Sequence, residues 1–384
     1  MAFILKKSNY LYYFCEGIGS VFDSQVLALL NAINDRKFFN KIYLFLGIRN
    51  EVQKNDFLGK KVNPAIQTVF FKSYPNYPFF NYLNRRSIRN ALYNQSININ
   101  EVIFHTRGEI IAWHLSHVLG KKYLKNIIPD VRGASVEEID EFSEINRFRK
   151  SIKIKNCIKA IKNLNKYHKT SVISYSLKEY LVVNYKIDQE KIIITPCLSG
   201  TNFRLNELER EQIRKELKIS NEDVLIVFSS GGTANWQNDG ILTILAEKGL
   251  KVLNLSMKKI PHKNIFNKFA NYSEMPIYLN AADFAIIWRD KSIVNKVASP
   301  VKFSEFICCG LPVIANYSVD MISEYISKHD CGVLIDDFND IEVSTLNDLK
   351  QKDRKKISES GISNFGINTI VNQYLRTYSS INNI

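Results

Sequence analysis

Lys302 and Glu305 lie three residues apart, the spacing that puts two side chains on one face of a helix, inside the segment VASPVKFSEFICCGLPVIAN at positions 297–316. A lysine beside a helix N-terminus attracts an anion, and phosphate suits that combination of a point charge and unpaired N–H groups. A carboxylate one turn further in can accept hydrogen bonds from two sugar hydroxyls. Together they read as a seat for a nucleotide diphosphate. Ser299 is a suitable N-cap, and Pro300 suits the first helical position, where a missing N–H costs nothing. Gly310 stops the helix, Pro312 prevents its restart, and Val313, Ile314 and Ala315 follow as a short buried strand.

Three further places can hold chemistry. GIGSVFDSQV, residues 17–26, follows a first strand and opens a helix. Glycines such as Gly19 let a ligand approach the backbone, although a plain tight turn explains the same residues. FHTRG (104–108) and PDVRGASVEE (129–138) each follow an apolar run, so both fall at the carboxyl ends of parallel strands, where ligands gather. There Asp130 can bond sugar hydroxyls, and Arg132 can hold an anionic acceptor or stabilise a leaving diphosphate. The alternative is an Asp–Arg pair that only organises its loop. His105, with Arg107 beside it, is either an acceptor-binding residue or a satisfied structural histidine. In FSSGGTANWQNDG (228–240), Ser230, Gly231 and Gly232 make a loop whose N–H groups can reach a phosphate. Trp236 packs near that ligand or in the core.

The 297–316 segment resembles the nucleotide-sugar motif of the family 4 (GT-B fold) glycosyltransferases, glycosyl transferases group 1. Their Pro-x-Lys-x-x-Glu helix leads into Gly-x-Pro-Val-Ile, matched here by Pro300, Lys302, Glu305, Gly310, Pro312, Val313 and Ile314. The resemblance implies that Glu305 grips the donor ribose. An earlier glutamate, eight positions ahead in many members, is Val297 here. The 228–240 loop lacks the Arg and Lys that many members use on the diphosphate, which leaves Lys302 and Arg289 as replacements. The stretch WRDKSIVNKVASPVK resembles a subgroup with an Arg and an Asn at the places of Arg289 and Asn295. The Asp-x-Arg-Gly at Asp130 is similar to bacterial polysaccharide and lipopolysaccharide enzymes of this family. The resemblance implies a retaining transferase that moves a sugar from a nucleotide sugar to a glycan or lipid-linked acceptor of undecaprenyl or lipid A type. Asp130, Arg132, Lys302 and Glu305 would carry the catalysis. It implies no cofactor and no required metal, because cations and helix dipoles can stabilise the leaving diphosphate.

Elements that would position these residues follow from the apolar pattern. Short apolar runs alternate with helical segments, as in parallel α/β sheets. Strands are expected at 10–14, 41–45, 67–71, 102–105, 126–128 and 171–174, then at 224–228, 251–255, 284–287, 312–315 and 332–335. Helices are expected at 22–34, 110–119 and 177–184, then at 210–215, 241–247, 301–308 and 322–326. A chain of 384 residues suits two domains. The turn-rich TPCLSGTNFRLN (195–206) marks their boundary, giving a Rossmann-like acceptor domain at 1–197 and a Rossmann-like nucleotide-sugar domain at 198–364. By the family pattern the two sheets face each other across a cleft, and a helix at 365–384 packs back on the first domain.

The net charge of +14 is lopsided. Residues 1–197 hold 30 Lys and Arg against 16 Asp and Glu, while residues 198–384 hold 22 of each. Residues 147–169 contain nine basic side chains and no acid, with Ile154, Ile158, Ile161 and Leu164 at helical spacing. Such a helix either lies on an anionic membrane or buries its stripe in the domain and leaves its basic face in water. Nucleic acid is a poor partner, because no aromatic-rich RNA motif, helix-turn-helix or zinc pattern accompanies the charge. A nucleotide-sugar epimerase of the same fold is the alternative enzyme, but the acid/base groups it needs are sparse. No run reaches the roughly 18 apolar residues of a membrane span, and the N-terminus reads as a strand, so a cytoplasmic protein is expected. The six cysteines lack CxxC spacing and read as reduced core thiols. Asp336–Asp337 reads as a solvated turn in place of a metal pair.

Overall fold

The computed structural model describes residues 10–95, 99–220, 222–230, 240–341, 346 and 349–382. They divide into two units: residues up to Phe22, Val26–Pro196 and those from Val371 onward form one, and Asp23–Gln25 with Cys197–Ile370 form the other.

The first unit is built on a seven-stranded sheet: β1 (Tyr10–Glu16), β2 (Lys41–Ile48), β3 (Ile66–Lys72), β4 (Val102–Arg107), β5 (Ile127–Val131), β6 (Thr170–Val172) and β7 (Ile192–Ile194). Their order is β3-β2-β1-β4-β5-β6-β7, and every pairing is parallel. The consecutive apolar residues of the central strands follow from that architecture. Leu11 to Cys15 on β1 and Val102 to Thr106 on β4 are all buried, because helices cover both faces. Those helices are α1 (Ala28–Asp35), α2 (Glu51–Leu58), α3 (Asn81–Tyr93), α4 (Glu109–Leu119), α5 (Ser135–Phe142), α6 (Arg147–Lys162) and α7 (Tyr175–Tyr185). Asp23–Leu27, expected to be α-helical, form a π-helical turn ahead of α1.

The basic segment is α6. Its apolar stripe turns inward: Ile161 and Leu164 are buried and Ile154 and Ile158 half-buried, so the stripe is not available to a membrane as a whole. Lys155, Lys159 and Lys162, at i, i+4 and i+7, stay exposed on one face.

The second unit carries β8 (Leu225–Phe228), β9 (Lys251–Asn254), β10 (Ile265–Asn267), β11 (Phe284–Ile287), β12 (Val313–Ala315) and β13 (Gly332–Leu334), ordered β10-β9-β8-β11-β12-β13 and again all parallel. Strand periodicity splits its core in two. Leu225, Val227, Ala285, Ile287, Val313 and Ala315 pack into one cluster, while their neighbours Ile226, Phe228, Phe284, Ile286 and Ile314 pack into the other. The helices are α8 (Glu207–Glu216), α9 (Ile241–Glu247), α10 (Met275–Ala281), α11 (Ile293–Lys296), α12 (Val301–Cys308), α13 (Asp320–His329) and α14 (Arg354–Phe365). α12 buries Phe303, Phe306 and Ile307 and meets α14 closely, with Ser358 Oγ donating to the Cys308 carbonyl at 2.6 Å. A last helix, α15 (Ile367–Asn382), buries Tyr374 and Tyr378 in the first unit. All six cysteines are buried and unbridged.

Candidate functional site

In each unit the strand order reverses beside one strand. Between β1 and β4, and between β8 and β11, successive connections leave in opposite directions, which opens a crevice at the carboxyl ends. Both candidate sites lie at these points.

In the second unit, β11 ends at Ile287 and delivers Trp288 and Arg289, while α12 starts after Pro300. Phe228, Trp288, Arg289, Pro300 and Lys302 line one small indentation there. Lys302 Nζ lies 2.8 Å from Glu305 Oε2, the i,i+3 contact that the spacing predicts. Glu305 is 1% exposed and Lys302 20%. Burial raises the Glu305 pKa, and the Lys302 ammonium draws it back down. Arg289 is held from two sides. Asn316 donates to its carbonyl at 2.7 Å, and its guanidinium donates to Asn295 Oδ1 at 3.1 Å. Its buried Nε has no partner among the described residues. Burial lowers the guanidinium pKa to about 10, so it remains a cation at neutral pH.

Several expected donor residues support the site and do not face it. Ser299 does not cap α12: the helix begins after Pro300 without a side-chain cap, and Ser299 Oγ accepts from Cys197 N at 3.1 Å. Asn295 is 1% exposed, and its amide nitrogen donates to the Asp290 carbonyl at 2.9 Å, so its role is to hold Arg289. Val297 is a buried core residue. Ser230 closes the described part of its loop; Gly231, Gly232 and Trp236 lie outside the described residues.

In the first unit a cavity of about 310 Å³ opens at the ends of β1, β4 and β5. Its lining includes Glu16, Gly17, Gly19, Arg107, Glu109, Arg132 and Glu138. Gly17 sits at φ +71, a left-handed conformation that favours glycine, and a side chain at Gly19 would meet nothing within 4 Å. Gly108, at φ +103, donates to the Asp130 carbonyl at 2.9 Å, which folds the end of β4 against β5 and turns Arg107 to the cavity.

Behind the cavity lies a buried knot. Arg132 Nη1 is 3.4 Å from each Asp130 oxygen. His105 is fully buried among Tyr13, Tyr374 and Tyr378, with Nδ1 2.6 Å from the Tyr378 hydroxyl and Nε2 3.8 Å from Asp130. Burial lowers the His105 pKa and keeps the ring neutral. Burial would raise Asp130, but the nearby charge of Arg132, with His105 and Arg107 behind it, holds the carboxyl far below the usual range. His105 and Asp130 therefore do not line the cavity as ligand-binding residues. Asp130 fixes Arg132, the organising role left open by the sequence.

Residues 232–375 match the family model described as glucosyltransferase 3-like, C-terminal domain. Among solved structures, a glycosyltransferase from Rickettsia africae ESF-5 superposes with a TM-score of 0.68 at 17% identity, covering 98% of this chain and 99% of its own. A sucrose-phosphate synthase from Thermosynechococcus elongatus gives 0.67 at 13%, covering 98% and 99%. HepE from Anabaena, solved in complex with UDP, gives 0.65 at 12%, covering 97% and 100%. The chain has the GT-B fold. No curated protein matches its sequence.

Within this GT-B chain the sequence missed three cavity carboxylates. Glu109, the first residue of α4, accepts from Ser135 Oγ at 2.5 Å; burial raises its pKa, as it does for Glu16. Glu138 lines the cavity and is exposed, yet desolvation by surrounding protein and the charges of Glu109 and Glu137 push it up to about 7. A Cβ on Gly133 would overlap its carboxylate. The available signal was a glutamate or a glycine directly after a strand-ending turn, in RGE at Arg107 and RGASVEE at Arg132. Among the described residues no group of three His, Cys, Asp or Glu side chains is arranged to hold a metal ion.

Proposed function

We propose that this chain is a retaining glycosyltransferase that moves a sugar from a nucleotide-diphosphate donor to a glycan or lipid-linked acceptor in cell-surface polysaccharide assembly. The observation that carries the reading is the Lys302–Glu305 pair on α12 beside Arg289, inside a stretch that matches a glucosyltransferase-type domain. Glu305, 1% exposed and paired with Lys302, would accept from the ribose hydroxyls once a diphosphate draws Lys302 away from it. Lys302, the cationic Arg289 and the N–H groups that open α12 would meet the diphosphate and stabilise it as it leaves. HepE, of the same fold, is described with UDP-glucose, which makes that donor class the first to try. The acceptor falls to the first unit, whose cavity offers the groups to bind it.

The surface of the first unit supports peripheral work at the cytoplasmic face of an anionic membrane. Phe79, Tyr82 and Phe148 are exposed aromatic side chains. The turn ahead of α3 is tied to α6 by hydrogen bonds of Asn156 with Asn76 and Asn81. Aromatic rings and a basic helix therefore share one region, the combination that suits a headgroup interface. No helix among the described residues is long and apolar enough to cross a membrane.

A thermal-shift panel of nucleoside diphosphates and nucleotide sugars, followed by product analysis, tests the function. A bound nucleotide raises the melting temperature by mass action. No response to any nucleotide would refute the donor site, and an isomerised nucleotide sugar as product would make the chain an epimerase.

A further inference from the structure

Arg132 was the residue expected to read a negative acceptor, yet its guanidinium faces Asp130. Arg107, on the same cavity wall, has no hydrogen bond or ion pair for its guanidinium among the described residues. It is half-buried, so its charge is not fully screened. The N-terminal ends of α4 and α5, at Glu109 and Ser135, also line this cavity and add partial positive charge.

The three carboxylates oppose that field less than ordinary glutamates would. Glu109 bonds to Ser135, burial raises the pKa of Glu16 and Glu109, and Glu138 is pushed up to about 7; a carboxyl that holds its proton can both donate to and accept from a hydroxyl. Arg132 is paired directly with an ionised Asp130, whereas Arg107 acts on Asp130 only at longer range and keeps its guanidinium without a direct partner among the described residues.

We propose that this cavity takes a hydroxylated sugar that bears an anionic group, phosphate or carboxylate, with the anion on Arg107 and the hydroxyls on Glu16, Glu109 and Glu138. The inference rests on reading the first unit as the acceptor side, and it names the class of acceptor. A volume of about 310 Å³ is at the small end of ligand sites, so one terminal residue of an acceptor enters and not a long glycan.

Equilibrium binding to the full chain, without donor or turnover, tests it. The probes are glucose 6-phosphate, glucuronate, glucose and inorganic phosphate, measured by titration calorimetry or saturation-transfer NMR against wild type, Arg107→Gln and Arg107→Lys. Glucose 6-phosphate or glucuronate should bind at least about tenfold more tightly than glucose, as expected of a charge-assisted contact. Arg107→Gln should erase that difference and leave weak glucose binding unchanged, and Arg107→Lys should restore part of it. Response to phosphate alone would identify which anion is read. Because Arg107 makes no direct hydrogen bond or ion pair among the described residues and acts on the buried Asp130 only at longer range, the glutamine variant should stay folded, and its melting temperature is the control for that.

Equal binding of glucose and the anionic sugars, no binding by any probe, or inorganic phosphate binding as tightly as the sugar phosphate would overturn the proposal. So would a nucleoside diphosphate whose affinity falls with Arg107→Gln, since Arg107 would then serve the donor. Nucleotide binding that persists in that variant, with the anionic sugars failing to bind, would reject the acceptor class and leave the glycosyltransferase reading intact.

Discussion

Replacing Glu305 by Gln should weaken ribonucleotide binding more than it destabilises the fold. The Glu305 carboxylate is 1% exposed and paired to a lysine that keeps 20% of its surface. In Glu305→Gln the volume stays, the charge goes, and Lys302 can still reach water. The structural cost should be about 1–2 kcal/mol, the scale of one altered buried polar contact, against the roughly 5–15 kcal/mol that holds a domain folded. Binding should suffer more. A hydrogen bond to a charged acceptor contributes about 1.5–3 kcal/mol, so removing one 2′-hydroxyl from a nucleoside diphosphate should weaken wild-type binding roughly 10- to 150-fold.

In Glu305→Gln that penalty should shrink toward a neutral hydrogen bond, about 0.5–1.5 kcal/mol. The assay is a cycle of four calorimetric dissociation constants: wild type and Glu305→Gln, each with the ribo- and the 2′-deoxyribonucleoside diphosphate. A contact between Glu305 and the ribose appears as a coupling of about 1 kcal/mol or more. Equal deoxy penalties in both proteins would show that Glu305 does not touch that hydroxyl. The residue would then be a buried partner that holds Lys302 in place.

Glu138→Gln should stabilise the protein in a pH-dependent way. With the folded-state pKa near 7 and an ordinary value of 4.5, the wild type loses stability as pH rises through this interval and no more above it. The melting-temperature gain of the variant should accordingly grow from pH 4.5 to 7 and then level off, and a flat difference would refute the raised pKa. Gly310→Ala forces φ +71 on a side chain and drives its Cβ against the Arg354 carbonyl, so denaturant unfolding should show a loss of more than about 1 kcal/mol. Replacing the exposed Lys155, Lys159 and Lys162 by Gln should cost about 3 kcal/mol of attraction to anionic vesicles, near 1 kcal/mol per lysine. In sedimentation assays, wild-type binding that ignores lipid charge or added salt would refute the membrane face.

The fold was legible because parallel strands buried on both sides must be apolar throughout. The runs at 284–287 and 313–315 need no alignment to be seen, and α12 was bracketed by Pro300 and Gly310. The three-residue β7 and β10 escape the sequence pattern, as do α2, whose apolar positions mark no face, and the helices α3, α5, α10, α11 and α14. In the second unit, spacing alone gave the Lys302–Glu305 contact, which is local. The contacts of Asn295 and Ser299 are not legible in sequence because their partners, Arg289 and the backbone of Cys197, are chosen by tertiary packing. The cavity of the first unit shows the same limit. Glu16, Glu109 and Glu138 come from three elements, and no window of sequence contains their meeting.

The location of the histidine reverses an ordinary inference about pH. A histidine two residues from Arg107 would be the first suspect for any change of acceptor binding near neutrality. Here His105 is sealed between tyrosines with its pKa lowered, and Asp130 is ionised far below neutrality, so the knot behind Arg132 keeps one charge state across the physiological range. The cavity group placed near neutrality is Glu138. It faces Glu109 on α4, its neighbour Glu137, which accepts from the Tyr180 hydroxyl on α7, and the cavity groups Glu16, Arg107 and Arg132. As pH rises through about 7, Glu138 gains a negative charge in the space where Arg107 would hold an anion. Binding of an anionic sugar should therefore weaken with rising pH, and Glu138→Gln should flatten that profile while a His105 variant that folds should not. The buried network sets where the cations stand, and the cavity glutamate sets how strongly they are felt.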